Sequence, residues 1–149
     1  MISIDSNIRK ILSNVFKNLD IKYTKTYITE YFNTHPNFPS LKSITELLSE
    51  YNIESLVIKI DYKKLDQITF PAIALLEDNK QKYFVAIKNV AEGQIEYFDS
   101  NNNVVIEKII EFNNKWSGKI ILIEKKSNSK EPNYIKNYQK EYLLKNRIR

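Results

Sequence analysis

Few side chains of this 149-residue chain could carry out chemistry. It contains no cysteine and one histidine, His35, so it offers no thiolate nucleophile and only one imidazole base. Ser6 would need a base to become a nucleophile, and the phenol of Tyr83 is a poor base because tyrosine titrates near pH ~10. His35 lies in a proline-flanked loop, where a hydrogen bond to nearby backbone is its expected role. We therefore predict no hydrolytic activity, no metal site and no cofactor.

The positive charge of the chain is concentrated at its C-terminal end. The net charge is +5, but residues 125–149 contain eight Lys and Arg against two acids, whereas residues 1–124 contain 15 against 16. A nucleic-acid-binding domain would spread its positive charge over a folded face, so we predict no nucleic-acid partner. No apolar run reaches the ~18 residues of a membrane span, and residues 1–10 lack the apolar core of a signal peptide. These features favour a cytoplasmic location.

Three helices are predicted in the first third of the chain. Asp5 or Ser6 can cap the first helix, whose apolar residues recur with the 3.6-residue helical period. A second, shorter helix is predicted at residues 26–33. It ends at the proline-containing segment 35–41, because residues before proline avoid helical geometry. Ser40 can then cap a third helix with one apolar side.

The pattern changes to β-strands after residue 54. Branched residues and turn signals predict strands at 54–61, 71–77, 82–90, 94–99, 104–107 and 119–124. A short helical turn at 62–67 and a short helix at 108–115 interrupt them. Helices followed by an antiparallel meander indicate an α+β domain over residues 1–126.

Residues 127–149 are predicted to form a basic linker and a helix. The stretch 127–133 is polar without an apolar anchor, and Tyr134, Tyr138 and Tyr142 then recur every four residues among lysines. Tyrosine favours the lipid headgroup layer, and Lys and Arg mark the cytoplasmic flank of membrane spans. We predict a juxtamembrane helix, poorly packed on the domain, with a membrane domain C-terminal to Arg149. The alternative is a solvated helix.

Four motifs, taken in order, resemble one family of peptidases. They are Pro71-Ala-Ile-Ala-Leu75, Lys82-Tyr-Phe-Val-Ala-Ile87, Tyr97-Phe-Asp99, and Trp116-Ser-Gly118 before an apolar strand. Their order and spacing are similar to those of the bacteriocin-processing cysteine peptidases. These are papain-like domains of peptide-exporting ABC transporters, which cut leader peptides after a double glycine. The resemblance implies a papain-like α+β fold, with N-terminal helices packed on an antiparallel β-sheet.

The catalytic positions implied by this resemblance hold other residues here. Tyr83 stands where the family has its histidine, and the place of the nucleophile, near the start of the first helix, falls on Ser6 or Asn7. Asp99 matches the acid that orients the histidine. Without an imidazole to orient, we predict that Asp99 caps the asparagine-rich turn that follows it. The resemblance therefore implies a pseudoenzyme.

We predict that the former cleft binds an extended peptide or an unfolded protein segment, through strand-edge hydrogen bonds and aromatic contacts. Tyr83, Phe98, Asp99 and Trp116 are predicted to line or support it. Trp116 has a competing interpretation as a core residue beside an apolar strand. Tyr83 should stay partly exposed, and strand alternation should turn the next residue to the opposite face of the sheet.

Two further motifs resemble one branch of this family. The segment from His35 to Leu41 and the junction Glu131-Pro-Asn-Tyr134 are similar to degenerate domains fused to a membrane protein related to vitamin K epoxide reductase. Degenerate homologues also occur on ABC exporters, where they act as substrate-docking domains and not as proteases. Either parent would place the domain at the cytoplasmic face of a membrane. An active hydrolase with a substituted nucleophile, and a purely structural module of a membrane protein, are the alternatives.

Overall fold

Three helices precede a six-stranded sheet along the chain. The helices and strands have the following bounds: α1 (Ile4–Asn18), α2 (Lys25–Thr34), α3 (Leu41–Glu50), β1 (Glu54–Lys59), a 3₁₀ helix (Tyr62–Gln67), β2 (Ala72–Asp78), β3 (Gln81–Ala91), β4 (Gln94–Phe98), β5 (Val104–Lys108), α4 (Ile109–Lys115), β6 (Trp116–Glu124) and α5 (Tyr134–Asn146). The computed structural model describes residues 3–146. No helix within that range has the length and apolar character needed to span a bilayer.

Hydroxyl side chains cap each of the first three helices. The cap of α1 is Ser3, whose side chain accepts from the Ser6 amide at 3.2 Å. The prediction of Asp5 or Ser6 as this cap was wrong because α1 begins earlier, which places both residues inside its first turn. Thr24 caps α2. Ser40 caps α3 as predicted, in a capping box with the Ser43 side chain.

The sheet is antiparallel throughout, with strand order β1-β6-β2-β3-β4-β5. Its two faces carry two separate cores. Phe84 and Ala86 of β3 pack with α1, α2 and α3, whereas Val85 and Ile87 pack with the 3₁₀ helix, α4 and Trp116. This alternation is the one predicted for β3, and the architecture confirms the predicted α+β fold with N-terminal helices on an antiparallel sheet.

A buried carboxylate anchors the segment that follows β6. Glu131 is fully buried and accepts from the Thr24 amide and hydroxyl at 2.7 Å each, from the Tyr51 hydroxyl at 2.6 Å and from Asn137 Nδ2 at 3.1 Å. Burial, followed by the hydrogen bond to Glu131, raises the pKa of Tyr51, so its phenol stays protonated and donates. The segment 127–133 has no apolar anchor, as noted from the sequence, but it is fixed by this polar one.

Helix α5 is held at the same place by a second carboxylate. Glu141 accepts from the amide and the hydroxyl of Thr26 at 2.9 Å each. The first amides of a helix have no partner within the helix, and its N-terminus attracts negative charge. The two acids of residues 125–149 therefore satisfy the start of α2 from outside. Tyr134, Asn137 and Asn146 of α5 are half-buried, its other side chains are exposed apart from Glu141, and none is fully buried.

Replacing Glu131 by Ala should both destabilise the protein and release α5 from the start of α2. Its removal leaves the Tyr51 hydroxyl and the Thr24 amide buried without their acceptor, so we expect the free energy of unfolding to fall by about 3 kcal/mol. Urea denaturation measures this loss, and amide hydrogen exchange should show faster exchange across residues 129–146. Glu77→Ala, at an exposed strand end, is the matched control. Equal midpoints for the two variants would contradict the anchoring role of Glu131.

Candidate functional site

Asn7, which with Ser6 is one of the two residues that the resemblance offers for the nucleophile position, lies in the first turn of α1 and joins that helix to the sheet. It is fully buried. Its Oδ1 accepts from the Phe84 amide at 2.6 Å, and its Nδ2 donates to the Phe84 carbonyl at 2.9 Å and also to Ser100 Oγ. The pairing of β3 with β4 ends where Ala86 meets Phe98, so the main chain of Phe84 lies beyond the last paired residue. The Asn7 amide takes the place of the missing strand.

This pairing depends on the chemistry of a carboxamide. Asparagine offers a donor and an acceptor side by side, which matches the amide and carbonyl of one strand residue. A hydroxyl or a thiol could not make both bonds at this spacing. The neighbouring candidate, Ser6, is half-buried and lines a groove next to the turn at residues 99–103.

The Asp99 carboxylate is committed to that turn. Its Oδ1 accepts from the amides of Asn101 and Asn103 at 2.9 Å each. Two backbone hydrogen bonds of 3.0 Å close the turn. The Asp99 amide donates to the Asn103 carbonyl, and the Asn102 amide donates to the Asp99 carbonyl. Asn102 takes a left-handed conformation with φ of 62°, which asparagine tolerates. The predicted capping role of Asp99 is confirmed.

Tyr83 is half-buried, as expected, but its ring belongs to the core on the α4 side of the sheet. Strand register places Trp116, Leu76 and Tyr83 in one row across β6, β2 and β3. Burial raises the pKa of Tyr83, and the nearby Lys115 ammonium only partly opposes this. The phenol is therefore protonated at neutral pH, and the phenolate that could act as a base is even rarer than in free tyrosine.

The other two predicted cleft residues, Phe98 and Trp116, do not line the groove that Tyr83 and Asp99 share. Trp116 is 8% exposed, packs on the Phe112 ring at 5.8 Å between centroids, and donates its indole N–H to the Lys119 carbonyl at 2.9 Å. It is a core residue, the competing interpretation. Phe98 packs against the core on the helix side, with the Lys88 ammonium 5.6 Å from its ring centroid.

His35 orders its own loop. Its Nδ1 accepts from the Asn37 amide at 3.0 Å, as its expected backbone-bonding role requires, and its Nε2 lies 3.5 Å from Glu46 Oε1. Within residues 3–146 no serine or threonine hydroxyl bonds to the ring. Nor does that range contain a cluster of three or more His, Asp or Glu side chains suited to a metal ion.

Two adjoining grooves flank the turn at residues 99–103. The first, here called the turn groove, has a volume of about 350 Å³ and is lined by Ile4, Gln81, Lys82, Tyr83, Asp99, Ser100 and Asn101. The second, the helix groove, has about 460 Å³ and lies between α1, α2 and the turn. Ser100 and Asn101 line both. Grooves of this size suit a segment of a larger ligand.

Sequence reasoning overlooked the basic side chains of the helix groove. Arg9, Lys10, Lys17 and Lys25 line it without an acidic residue. A signal was present, because Lys10 and Lys17 are seven residues apart and so lie on one face of α1. The charge count hid it, since residues 1–124 are close to neutral as a whole.

Solved structures with this fold include peptidase domains of exporters. The peptidase domain of Streptococcus ComA, a bifunctional ABC transporter of a quorum-sensing pathway, matches with a TM-score of 0.71 and 18% identity, over 85% of this chain and 96% of that one. A double-glycine-motif protease from an AMS/PCAT transporter, in complex with its leader peptide, matches with a TM-score of 0.71 and 16% identity, over 85% and 89%. The N-terminal peptidase C39-like domain of a toxin-secretion ATP-binding protein from Vibrio parahaemolyticus has a TM-score of 0.67 and 10% identity, over 80% and 97%.

Sequence comparison identifies a family but no individual curated relative. A search of curated proteins finds no relative of this chain. The model of the peptidase C39 family matches residues 10–128, a segment that begins just after Asn7 and includes Tyr83 and Asp99. Together with the fold, this confirms the resemblance to bacteriocin-processing peptidases. The chain belongs to the peptidase C39 family.

Proposed function

We propose that this chain is a catalytically inactive peptidase C39-like domain that binds an extended peptide or an unfolded protein segment. It works at the cytoplasmic face of a membrane, as the N-terminal part of a membrane protein or as its partner. A peptide exporter and a vitamin K epoxide reductase-like protein are the two candidate parents. The observation that carries the proposal is the buried Asn7 amide, bonded to strand β3 at one of the two positions that the resemblance offers for the nucleophile.

Inactivity is supported by the residues that stand at the family's catalytic positions in this chain and by the contacts they make. The sequence has no cysteine, and the Asn7 side chain is occupied by Phe84 and Ser100. Tyr83 is protonated, and Asp99 bonds to its own turn. A serine hydrolase would need an imidazole beside Ser6, but the chain has one histidine, which bonds within the loop between α2 and α3.

Peptide binding is supported by the turn groove and by a relative. The groove lies beside the first residues of strand β3 and the turn that carries Asp99. Polar main-chain and side-chain groups there can form hydrogen bonds with an extended peptide. One solved structure of the same fold contains a leader peptide, which makes a peptide the favoured class of ligand.

The membrane location is supported by the surface of α5. Several of its apolar side chains are exposed; they are Ile135 (68% exposed), Leu143 (61%), Tyr142 (57%), Tyr138 (52%) and Leu144 (47%). Lys136, Lys140 and Lys145 lie among them. Exposed tyrosines beside lysines suit the headgroup layer of an anionic bilayer.

Asn7→Ala should destabilise the protein. It should not change any catalytic property, because we propose that the domain is inactive. The amide and carbonyl of Phe84 lose their partners while they stay buried, so we expect the free energy of unfolding to fall by about 2–4 kcal/mol. Urea denaturation measures it. Ser6→Ala, at the adjacent residue of the same turn, is the matched control and should change stability by less than about 0.5 kcal/mol. Equal stabilities for the two variants would show that the Asn7 pairing is dispensable.

A double-glycine leader peptide should bind the domain and remain intact. In a titration of the ¹⁵N-labelled domain, we expect amide shifts at Tyr83 and at residues 99–101, with no cleavage product by mass spectrometry. Tyr83→Ala should weaken binding by about three- to tenfold, because it removes an aromatic contact. Tyr62→Ala, a half-buried tyrosine of the 3₁₀ helix, is the control. Cleavage would indicate an active hydrolase, and an absence of shifts would favour a structural module.

Vesicles that contain phosphatidylserine should bind the domain in a salt-sensitive manner. Each basic residue near an anionic surface contributes about 1 kcal/mol, so replacing Lys136, Lys140 and Lys145 by Gln should abolish most of the binding in a sedimentation assay. A variant with Gln at Lys63, Lys64 and Lys82 loses the same charge elsewhere and should still bind. If both variants bind alike, α5 is not the contact surface.

A further inference from the structure

We propose that the helix groove recognises a run of acidic residues in the bound polypeptide. This inference rests on the proposed peptide-binding function and names the chemistry that the groove selects. The helix groove adjoins the turn groove through Ser100 and Asn101, so one extended chain can occupy both.

The walls of the helix groove combine positive charge with small polar groups. On α1 the lining includes Arg9, Lys10, Ser13 and Lys17, which follow one helix face, and on α2 Lys25 and Thr29 face them. Ile28, which is buried, forms part of the floor. The result is a trough with four cations along its sides and an apolar base.

The four cations are available to a ligand. Within residues 3–146, Arg9, Lys10, Lys17 and Lys25 form no ion pair with an acid, although Lys115, Lys126 and Lys140 do. No acidic side chain of the same range lines the groove. The electrostatic potentials of several cations around one concave site add up, and the summed potential attracts an anion to that site. The folded part of the chain is otherwise close to neutral, so this potential is local.

The groove is also formed in advance. Asn14 of α1 is 8% exposed, and its Nδ2 donates to Asn102 Oδ1, while Asn18 Nδ2 donates to Asn14 Oδ1 at 2.8 Å. Together with the bond from Asn7 to Ser100, these contacts fix the turn against α1. A groove that is already ordered avoids part of the entropy loss that binding would otherwise require.

Its dimensions and lining favour a peptide over a nucleic acid. The helix rises ~1.5 Å per residue, so the face of α1 from Ser6 to Lys17 is roughly 16 Å long, enough for about five residues of an extended peptide at ~3.3 Å each. Among residues 3–146 no aromatic side chain lines the groove, whereas proteins that bind single strands stack bases on aromatic rings. Hydroxyl and amide groups between the cations can bond to the peptide main chain.

The test compares two synthetic peptides that differ only in charge. One alternates Glu with Ser and Gly, and its twin carries Gln at each Glu. In calorimetric titrations at low salt, the Glu peptide should bind and the Gln peptide should bind at least about tenfold more weakly. The double variant Lys10→Gln, Lys17→Gln should weaken Glu-peptide binding by about tenfold, whereas Lys42→Gln, Lys64→Gln, with the same change in charge elsewhere, should not.

Three outcomes separate this inference from the function on which it rests. Equal binding of both peptides, with no effect of the Lys10 and Lys17 replacements, would overturn it, while leader-peptide shifts at Tyr83 would still support the proposed function. Tighter binding of a thymidine oligonucleotide than of the Glu peptide, with the same dependence on Lys10 and Lys17, would overturn it in favour of a nucleic-acid site. Glu-peptide shifts confined to residues 9–29 and 100–102, without leader-peptide shifts at Tyr83, would support the acidic site and remove the proposed function.

Discussion

The contact between the Asn7 side chain and the main chain of Phe84 determines how the helical layer sits on the sheet. Strand β4 leaves β3 at Ala86, and a buried strand end with unpaired amide and carbonyl groups would cost several kcal/mol. One carboxamide satisfies both groups and also reaches Ser100. It thereby fixes three things relative to one another: the start of α1, the strand that carries Tyr83, and the turn that carries Asp99. Both grooves are consequences of this arrangement.

The C-terminal segment uses the same principle at the other end of the helical layer. Buried Glu131 and half-buried Glu141 bond to the first residues of α2, where backbone amides lack partners within the helix. A carboxylate in a buried place is tolerated only when hydrogen bonds replace its water, and Glu131 has four of them. The direction of α5 is thus set by the domain.

Most of the fold was predictable, because its signals are local. Apolar periodicity gave the helices and strands to within a few residues, and Ser40 revealed its helix by a local capping pattern. The errors concern interactions between residues distant in the sequence. Glu131 looks like a linker residue until Thr24 and Tyr51 are placed around it. Trp116 is a core residue because β6 begins at this position, earlier than its apolar run suggests. The ordered motifs located Tyr83 and Asp99, but no pattern predicted what Asn7 bonds to.

The proposed loss of chemistry and the observed packing explain each other. A nucleophile must keep its reactive atom free and exposed to substrate, so the residue at that place cannot also hold a strand end. Asn7 does hold it, with every polar atom of its side chain engaged. A domain that no longer cleaves can use the position for stability, in keeping with the general conflict between active-site geometry and stability. What remains for function is the surface around the turn, where a groove beside Tyr83 meets four unpaired cations. In the function we propose, charge and shape along the bound chain determine selectivity.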